Sequence, residues 1–197
     1  GSNKGLSPKG LSITEANILK AKLADDFQKS IYSSLMSVAD AVVGLNAKFS
    51  TWPIVKLYYA TFYAFRAILS AERICIFYGA NRGYSLVAKA GARAVHSPKS
   101  AGSSSHKFVF ELFKANFPNN PLLSQDIENK KPFEWIMQKR EEANYKNARF
   151  IEPSTSSLFS AVNKVGIRKA ITTYLEGNTL AFDTDHALLA YPLYVLT

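Results

Sequence analysis

The chain has 197 residues and 47% apolar content, enough for one domain with a real core and too apolar for a disordered tail. Its 24 Lys and Arg against 15 Asp and Glu leave a formal charge of +9, which favours anionic partners, nucleic acid first, with solubility as the plainer use. A single cysteine excludes an internal disulfide and fits a reducing, cytoplasmic setting, and no run of about 18 uncharged apolar residues is present to span a membrane.

Residues 1–11 are rich in Gly, Ser, Lys and Pro and read as a flexible lead-in, with Gly1-Ser2 looking like a tag scar. Ser12 and Glu15 have capping-box spacing. After them Leu19, Leu23, Phe27, Ile31, Leu35, Val38 and Val42 recur at three- and four-residue steps, which predicts one apolar stripe on a long helix ending near Ala47. Ser50-Thr51-Trp52-Pro53 is a second start signal. Residues 54–78 are apolar on nearly every face and predict one long buried helix stopped by Gly79.

Residues 80–105 differ in composition: Gly, Ser and Pro98 are interspersed with Arg82, Lys89, Arg93 and Lys99. A short helix is expected over 84–94 and a Ser-rich loop over 101–105. Residues 106–116 predict a helix behind a Ser cap, and Pro118 and Pro121 break the chain after it. Pro132 opens a helix to about Asn144, with Phe133, Trp135, Ile136 and Met137 on its buried side. Pro153-Ser154-Thr155 opens another that Gly177 stops. The apolar tail 186–196, interrupted by Pro192, reads equally as a short helix or a strand. No segment alternates convincingly with period two. The expectation is an all-α chain: a lead-in over 1–11, an up-and-down bundle of four to five helices over 12–177 with a basic Ser-rich loop, and a C-terminal extension over 178–197.

Three clusters are candidates for chemistry, each beside a plainer structural reading. In the first, Tyr59, Tyr63 and Arg66 share one helix face and Tyr58, Phe62 and Phe65 another. Core packing is the plain reading of the rings, but Arg66 in such a run needs a partner or a rim position. In the second, Arg140 and Asn144 are four apart with Tyr145 just beyond, so a cation, an amide and a phenol converge and could hold a phosphate. A solvated face of Lys139, Arg140, Glu141 and Glu142 is the alternative. In the third, His96 and His106 flank the basic loop with Lys99 and Lys107 nearby. Cys75, in the run Ile74-Cys75-Ile76-Phe77, reads as a buried structural thiol. No Walker loop, Gly-x-Gly-x-x-Gly, Gly-x-Ser-x-Gly or zinc-spaced Cys/His set occurs, so no cofactor or metal is expected. Asp183-Thr184-Asp185-His186 fits a helix cap better than a metal site.

The run Tyr58-Tyr59-Ala60-Thr61-Phe62-Tyr63-Ala64-Phe65-Arg66-Ala67-Ile68-Leu69 resembles the aromatic helix of the HEPN family. Ser105-His106-Lys107-Phe108 with Asn116-Phe117 resembles that family's next helix. Arg140-Glu141-Glu142-Ala143-Asn144-Tyr145 is similar to the R-x-x-A-D-Y end of its late helix. The order and spacing of the three agree over about residues 15–175. The resemblance implies a homodimeric helical bundle that binds or cuts RNA, as a metal-independent endoribonuclease of a prokaryotic defence or toxin–antitoxin system with a partner or antitoxin protein. Active members carry a His after four to six residues intervening from the Arg; after four such residues this chain has Tyr145, whose ordinary pKa of about 10 suits it poorly to acid–base work at neutral pH. The implied site is Arg140 as phosphate holder supported by Asn144, Tyr145 and His106, with Arg66, Arg93, Lys99 and Lys107 as nucleic-acid contacts. A non-catalytic dimeric module that binds nucleic acid, nucleotide or a partner protein is the alternative.

Overall fold

The computed structural model describes residues 9–79, 82–96, 105–146, 155–177 and 181–197. Among them the chain is mainly helical, with seven α-helices and one small antiparallel sheet. It divides into two compact units: Gly1–Ile31 with Phe65–Phe117, and Tyr32–Ala64 with Pro118–Thr197. The first two helices, α1 (Ile13–Asn46) and α2 (Thr51–Ala71), contribute to both units.

The first unit opens on the capping box. The Ser12 amide donates to Glu15 Oε2 at 2.7 Å, and the Glu15 amide donates to Ser12 Oγ at 3.2 Å. The lead-in is tied down just before it: the Leu11 amide donates to Ala92 O at 2.9 Å and the Gly91 amide to Leu11 O at 2.7 Å. Gly10 is required there, because a Cβ would lie 2.4 Å from Gly91 O. Flexibility therefore does not extend to residues 10 and 11, while 1–8 lie outside the described residues.

The helix expected over 54–78 stops at Ala71. Arg73 turns the chain with φ 63°, a left-handed conformation that usually selects Gly or Asn. Beyond it β1 (Ile74–Gly79) pairs antiparallel with β2 (Arg82–Val87), in a register running from Ile74 opposite Val87 to Gly79 opposite Arg82. Branched and aromatic residues over 74–78 suit a pleated strand better than the end of a helix. The helix expected over 84–94 is instead β2 and a turn, with Gly91 at φ 80°. A short β3 (Val95–His96) completes the sheet in the order β1-β2-β3. α3 (Ser105–Asn116) forms where expected and buries Phe108, Val109, Phe110, Leu112 and Phe113. The Phe65 ring meets Phe110 at 5.3 Å and Phe113 at 4.3 Å. Gly83 on β2 admits the Phe108 ring, which a Cβ would approach to 2.6 Å.

In the second unit α1 and α2 approach closely. Ser34 Oγ donates to Ala60 O at 2.7 Å, and a Cβ at Gly44 would meet Pro53 at 2.8 Å. Close approach selects small residues, so the buried face of α1 is Ser34, Ser37, Val38, Ala41 and Leu45. The expected large-residue stripe is corrected accordingly: Leu23 and Val38 are buried, but Leu35 is 51% and Phe27 38% exposed. α2 is apolar around its girth and buries Ile54, Val55, Leu57, Tyr58, Ala60, Thr61, Phe62 and Ala64.

The rest of the second unit is a short 3-10 turn (Pro121–Leu123), α4 (Pro132–Glu141) continuing into a π-helical turn (Glu142–Lys146), a 3-10 turn (Thr155–Phe159), α5 (Ser160–Val165), α6 (Ile167–Glu176) and α7 (Ala187–Leu196). Pro153 and Ser154 lie outside the described residues. The single helix expected up to Gly177 is split at Gly166, whose φ of 89° breaks the α-conformation. The tail is a helix, and a core one. Ala187, Leu188, Leu189 and Tyr191 are fully buried, and the Tyr191 hydroxyl donates to Leu122 O at 3.1 Å. Four to five helices were expected; the kinks and the buried tail account for the higher number.

Candidate functional site

The site grows from α4. Pro132 at its first turn supplies a helix-ready φ, and Phe133, Trp135 and Ile136 are buried. One flank is engaged internally. Trp135 Nε1 donates to Glu128 Oε2 at 2.7 Å, and Lys139 Nζ lies 3.1 Å from the same oxygen and 3.7 Å from Glu142. Gln138 Nε2 donates to Glu142 Oε1 at 2.7 Å. The Trp135 hydrogen bond, then that of Lys139, holds the Glu128 carboxyl below the usual carboxylate range.

Arg140 takes a different direction from Lys139 and Glu142. Its guanidinium carbon lies 5.4 Å from the Tyr58 ring centroid and 6.0 Å from that of Tyr59. Both distances are within cation–π range. These rings are themselves braced: Tyr58 meets Tyr59 edge-on at 5.2 Å, and Tyr59 stacks on Tyr63 at 6.2 Å. The Tyr58 hydroxyl is pushed above the ordinary phenol range by burial, against the opposing pull of Arg140. It therefore stays neutral across the physiological range. A planar guanidinium packed on aromatic rings has a restricted orientation. The α2 aromatics form this platform rather than a reactive group.

The remaining predicted residues fall as follows. Ala143 is buried and Asn144 exposed within the π-helical turn, so Asn144 lies in a widened coil, not one regular turn after Arg140. Of Tyr145 the backbone alone is described, as part of that turn. His106 is half-buried in the first turn of α3 and belongs to the first unit. Arg66 also belongs there, and its charge acts on Tyr78 and Cys75. Arg93 is exposed in the turn after β2 and Lys107 exposed on α3, while Lys99 lies outside the described residues. Burial, and then the negative charge of Asp26, push the half-buried Cys75 thiol up, away from nucleophile character.

Two features escaped sequence reasoning. One is the sheet and the ring contacts across it. The other is a cavity of about 160 Å³ beside α6 and α7, lined by Tyr174, Phe182, His186 and Tyr194 among others. In it His186 stacks on Tyr174 at 5.7 Å while its Nδ1 lies 2.8 Å from Asp185 Oδ1. The Asp183–His186 stretch works locally: Asp183 O accepts from the His186 amide at 3.2 Å and the Ala187 amide at 2.9 Å, at the start of α7. Among the described residues no three His, Cys, Asp or Glu side chains gather as metal ligands, and no helix is long and apolar enough to cross a membrane. No protein family, curated protein or solved structure matches the chain.

Proposed function

We propose that the chain is a HEPN-like, RNA-directed protein that holds an RNA phosphate through Arg140 at the end of α4. The observation that carries this reading is the guanidinium held over Tyr58 and Tyr59, at 5.4 Å and 6.0 Å. The charge of +9 supports a polyanionic ligand. In the cutting form of the reading, the chain is a metal-independent endoribonuclease of a prokaryotic defence or toxin–antitoxin system. The RNA 2′-oxygen, its proton passing to solvent water, bonds to the adjacent phosphorus as the P–O5′ bond breaks; the 5′-oxygen takes a proton from water, leaving a 2′,3′-cyclic phosphate and a 5′-hydroxyl, and Arg140 stabilises the charge that builds on the phosphoryl oxygens. Asn144 and Tyr145, on the π-helical turn that follows Arg140, are the polar groups assigned to support it.

A second reading, a non-catalytic RNA-binding module, is favoured by Tyr145 at the position where active relatives carry His, and by the raised Tyr58 hydroxyl beside Arg140. Neither phenol is a general base near neutral pH. In both forms the functional unit is a homodimer. The face of α1 carrying Tyr32, Leu35, Met36 and Val43, 66, 51, 44 and 68% exposed, is the apolar surface assigned to association with a second copy or a partner protein.

The test is incubation of the purified chain with single-stranded and structured RNA in EDTA. Cutting that leaves cyclic-phosphate ends and falls about a hundredfold or more in Arg140→Ala supports the enzyme. Salt-sensitive binding without product supports the module. Cutting or binding unchanged by Arg140→Ala removes Arg140 from the site.

A further inference from the structure

The sheet of the first unit carries a feature that the Arg140 site does not use. Phe77 on β1 is the cross-strand partner of Tyr84 on β2, and Tyr84 is the partner of His96 on β3. Cross-strand partners project from the same face, so three rings form a row across all three strands. They touch: Phe77 and Tyr84 are stacked at 5.3 Å with planes 13° apart, and Tyr84 and His96 lie 4.6 Å apart. The opposite face is the one backed by α3, where Phe108 meets Gly83 and Tyr78. Phe77 and Tyr84 are half-buried and His96 is exposed. The two end rings stand on β1 and β3, the two edges of the sheet.

The strands and turns of the sheet carry charge of one sign, although Asp26 on α1 acts on Cys75 of the same face. From Arg73 to His96 the sequence carries Arg73, Arg82, Lys89 and Arg93 and no Asp or Glu. Arg82, Lys89 and Arg93 are exposed, and Arg82 lies two residues from Tyr84 on the same strand, hence on the same face as the rings. A row of rings ending in an open imidazole, rimmed by cations, offers two things together: π-faces for unpaired bases and counter-charge for the phosphates between them. That pairing is the chemistry by which single strands are held without sequence readout. A duplex keeps its bases stacked inside and offers the rings nothing.

We infer that the Phe77–Tyr84–His96 row, with Arg82 beside it, is a docking surface for single-stranded nucleic acid, with a base stacking on the end of the row at His96. The surface shares with the Arg140 reading only its ligand class, and its residues lie in the other unit.

The test uses the full chain and fluorescein-labelled probes of roughly 12 nucleotides, within the span of such surfaces. The probes are oligouridylate, oligodeoxythymidylate and an RNA duplex. Oligodeoxythymidylate has no 2′-hydroxyl and survives any cutting activity. Both single strands are expected to bind more tightly than the duplex. His96→Ala, at an exposed position, is expected to weaken single-strand binding roughly five- to a hundredfold. Tyr84→Leu does the same and Tyr84→Phe, which keeps the ring, does not. Arg82→Gln lowers the slope of log affinity against log salt by about 0.7. Circular dichroism on each variant confirms the fold, and His96→Ala carries the test if Tyr84→Leu does not fold. Single-strand affinity unchanged in His96→Ala overturns the proposal, as do equal affinity for the duplex and equal competition by polyglutamate. Arg140→Ala separates the two sites. Oligodeoxythymidylate binding lost in Arg140→Ala and kept in His96→Ala overturns the row and spares the Arg140 reading. The reverse pattern sustains the row whatever becomes of cutting.

Discussion

The two units use aromatic residues in opposite ways. In the second, Tyr58 is 1% exposed and works as a floor: the ring is sealed and a cation is brought onto it from α4. In the first, the rings at 77, 84 and 96 run across three strands towards an exposed edge. The difference follows from backbone geometry. A helix apolar on every side must bury its rings, while the strands leave Phe77 and Tyr84 half-buried and His96 exposed. Aromatic content by itself does not distinguish a spine from a surface; the period of the backbone beneath it does.

Substitutions that damage one arrangement and spare the other would sharpen this contrast. The largest effect is expected from Trp135→Ala, because the indole is fully buried, its Nε1 donates to Glu128, and it carries the helix that positions Arg140. A loss of about 3–5 kcal/mol in denaturant unfolding is expected, with faster amide exchange in α4 and α7. Exchange that rises instead in β1 and β2 would contradict the division into units. Gly83→Ala comes next. Its Cβ would press the Phe108 ring from 2.6 Å, so a loss of about 1–3 kcal/mol is expected, read as faster exchange in β1 to β3 while the Arg140 platform is untouched. Exchange unchanged in the sheet would mean that the ring yields freely.

The smallest effect concerns the start of α1. The Ser12 backbone hydrogen bond, then the Ser12 side chain, holds the exposed Glu15 carboxyl below its ordinary value. With the folded pKa below the unfolded one, the carboxylate stabilises the helix start above the ordinary glutamate range, and this is lost as pH falls through the lowered folded value. Amide exchange at the first turn of α1 should therefore quicken on acidification, and Glu15→Gln should flatten that dependence. A wild-type profile already flat across the glutamate range would remove the capping role.

Wherever local chemistry decided the outcome, the fold was legible. The Ser12–Glu15 box and the Pro132 opening of α4 each depend on groups within a few residues of one another. The aromatic face of α2 and Arg140 were both readable as features; their meeting was not, because it joins residues some eighty positions apart. The row of rings was hidden for a sharper reason. Ile74-Cys75-Ile76-Phe77 continues an apolar run without alternation, and the reversal at Arg73 lacks the glycine that would announce it.

The sequence by itself determined that this protein is mainly helical, strongly basic, and built on one helix apolar all round, since composition and period are properties of neighbouring residues. Tertiary structure alone decided that the run after Ala71 pairs as a hairpin, that Ser34, Ser37 and Ala41 share the inward face of α1 with Val38 and Leu45, and that the C-terminal segment enters the core as α7. Each of these outcomes depends on which distant surface a segment meets. Strand pairing, close helix approach and burial of a tail draw their free energy from that contact, which no local window of sequence contains.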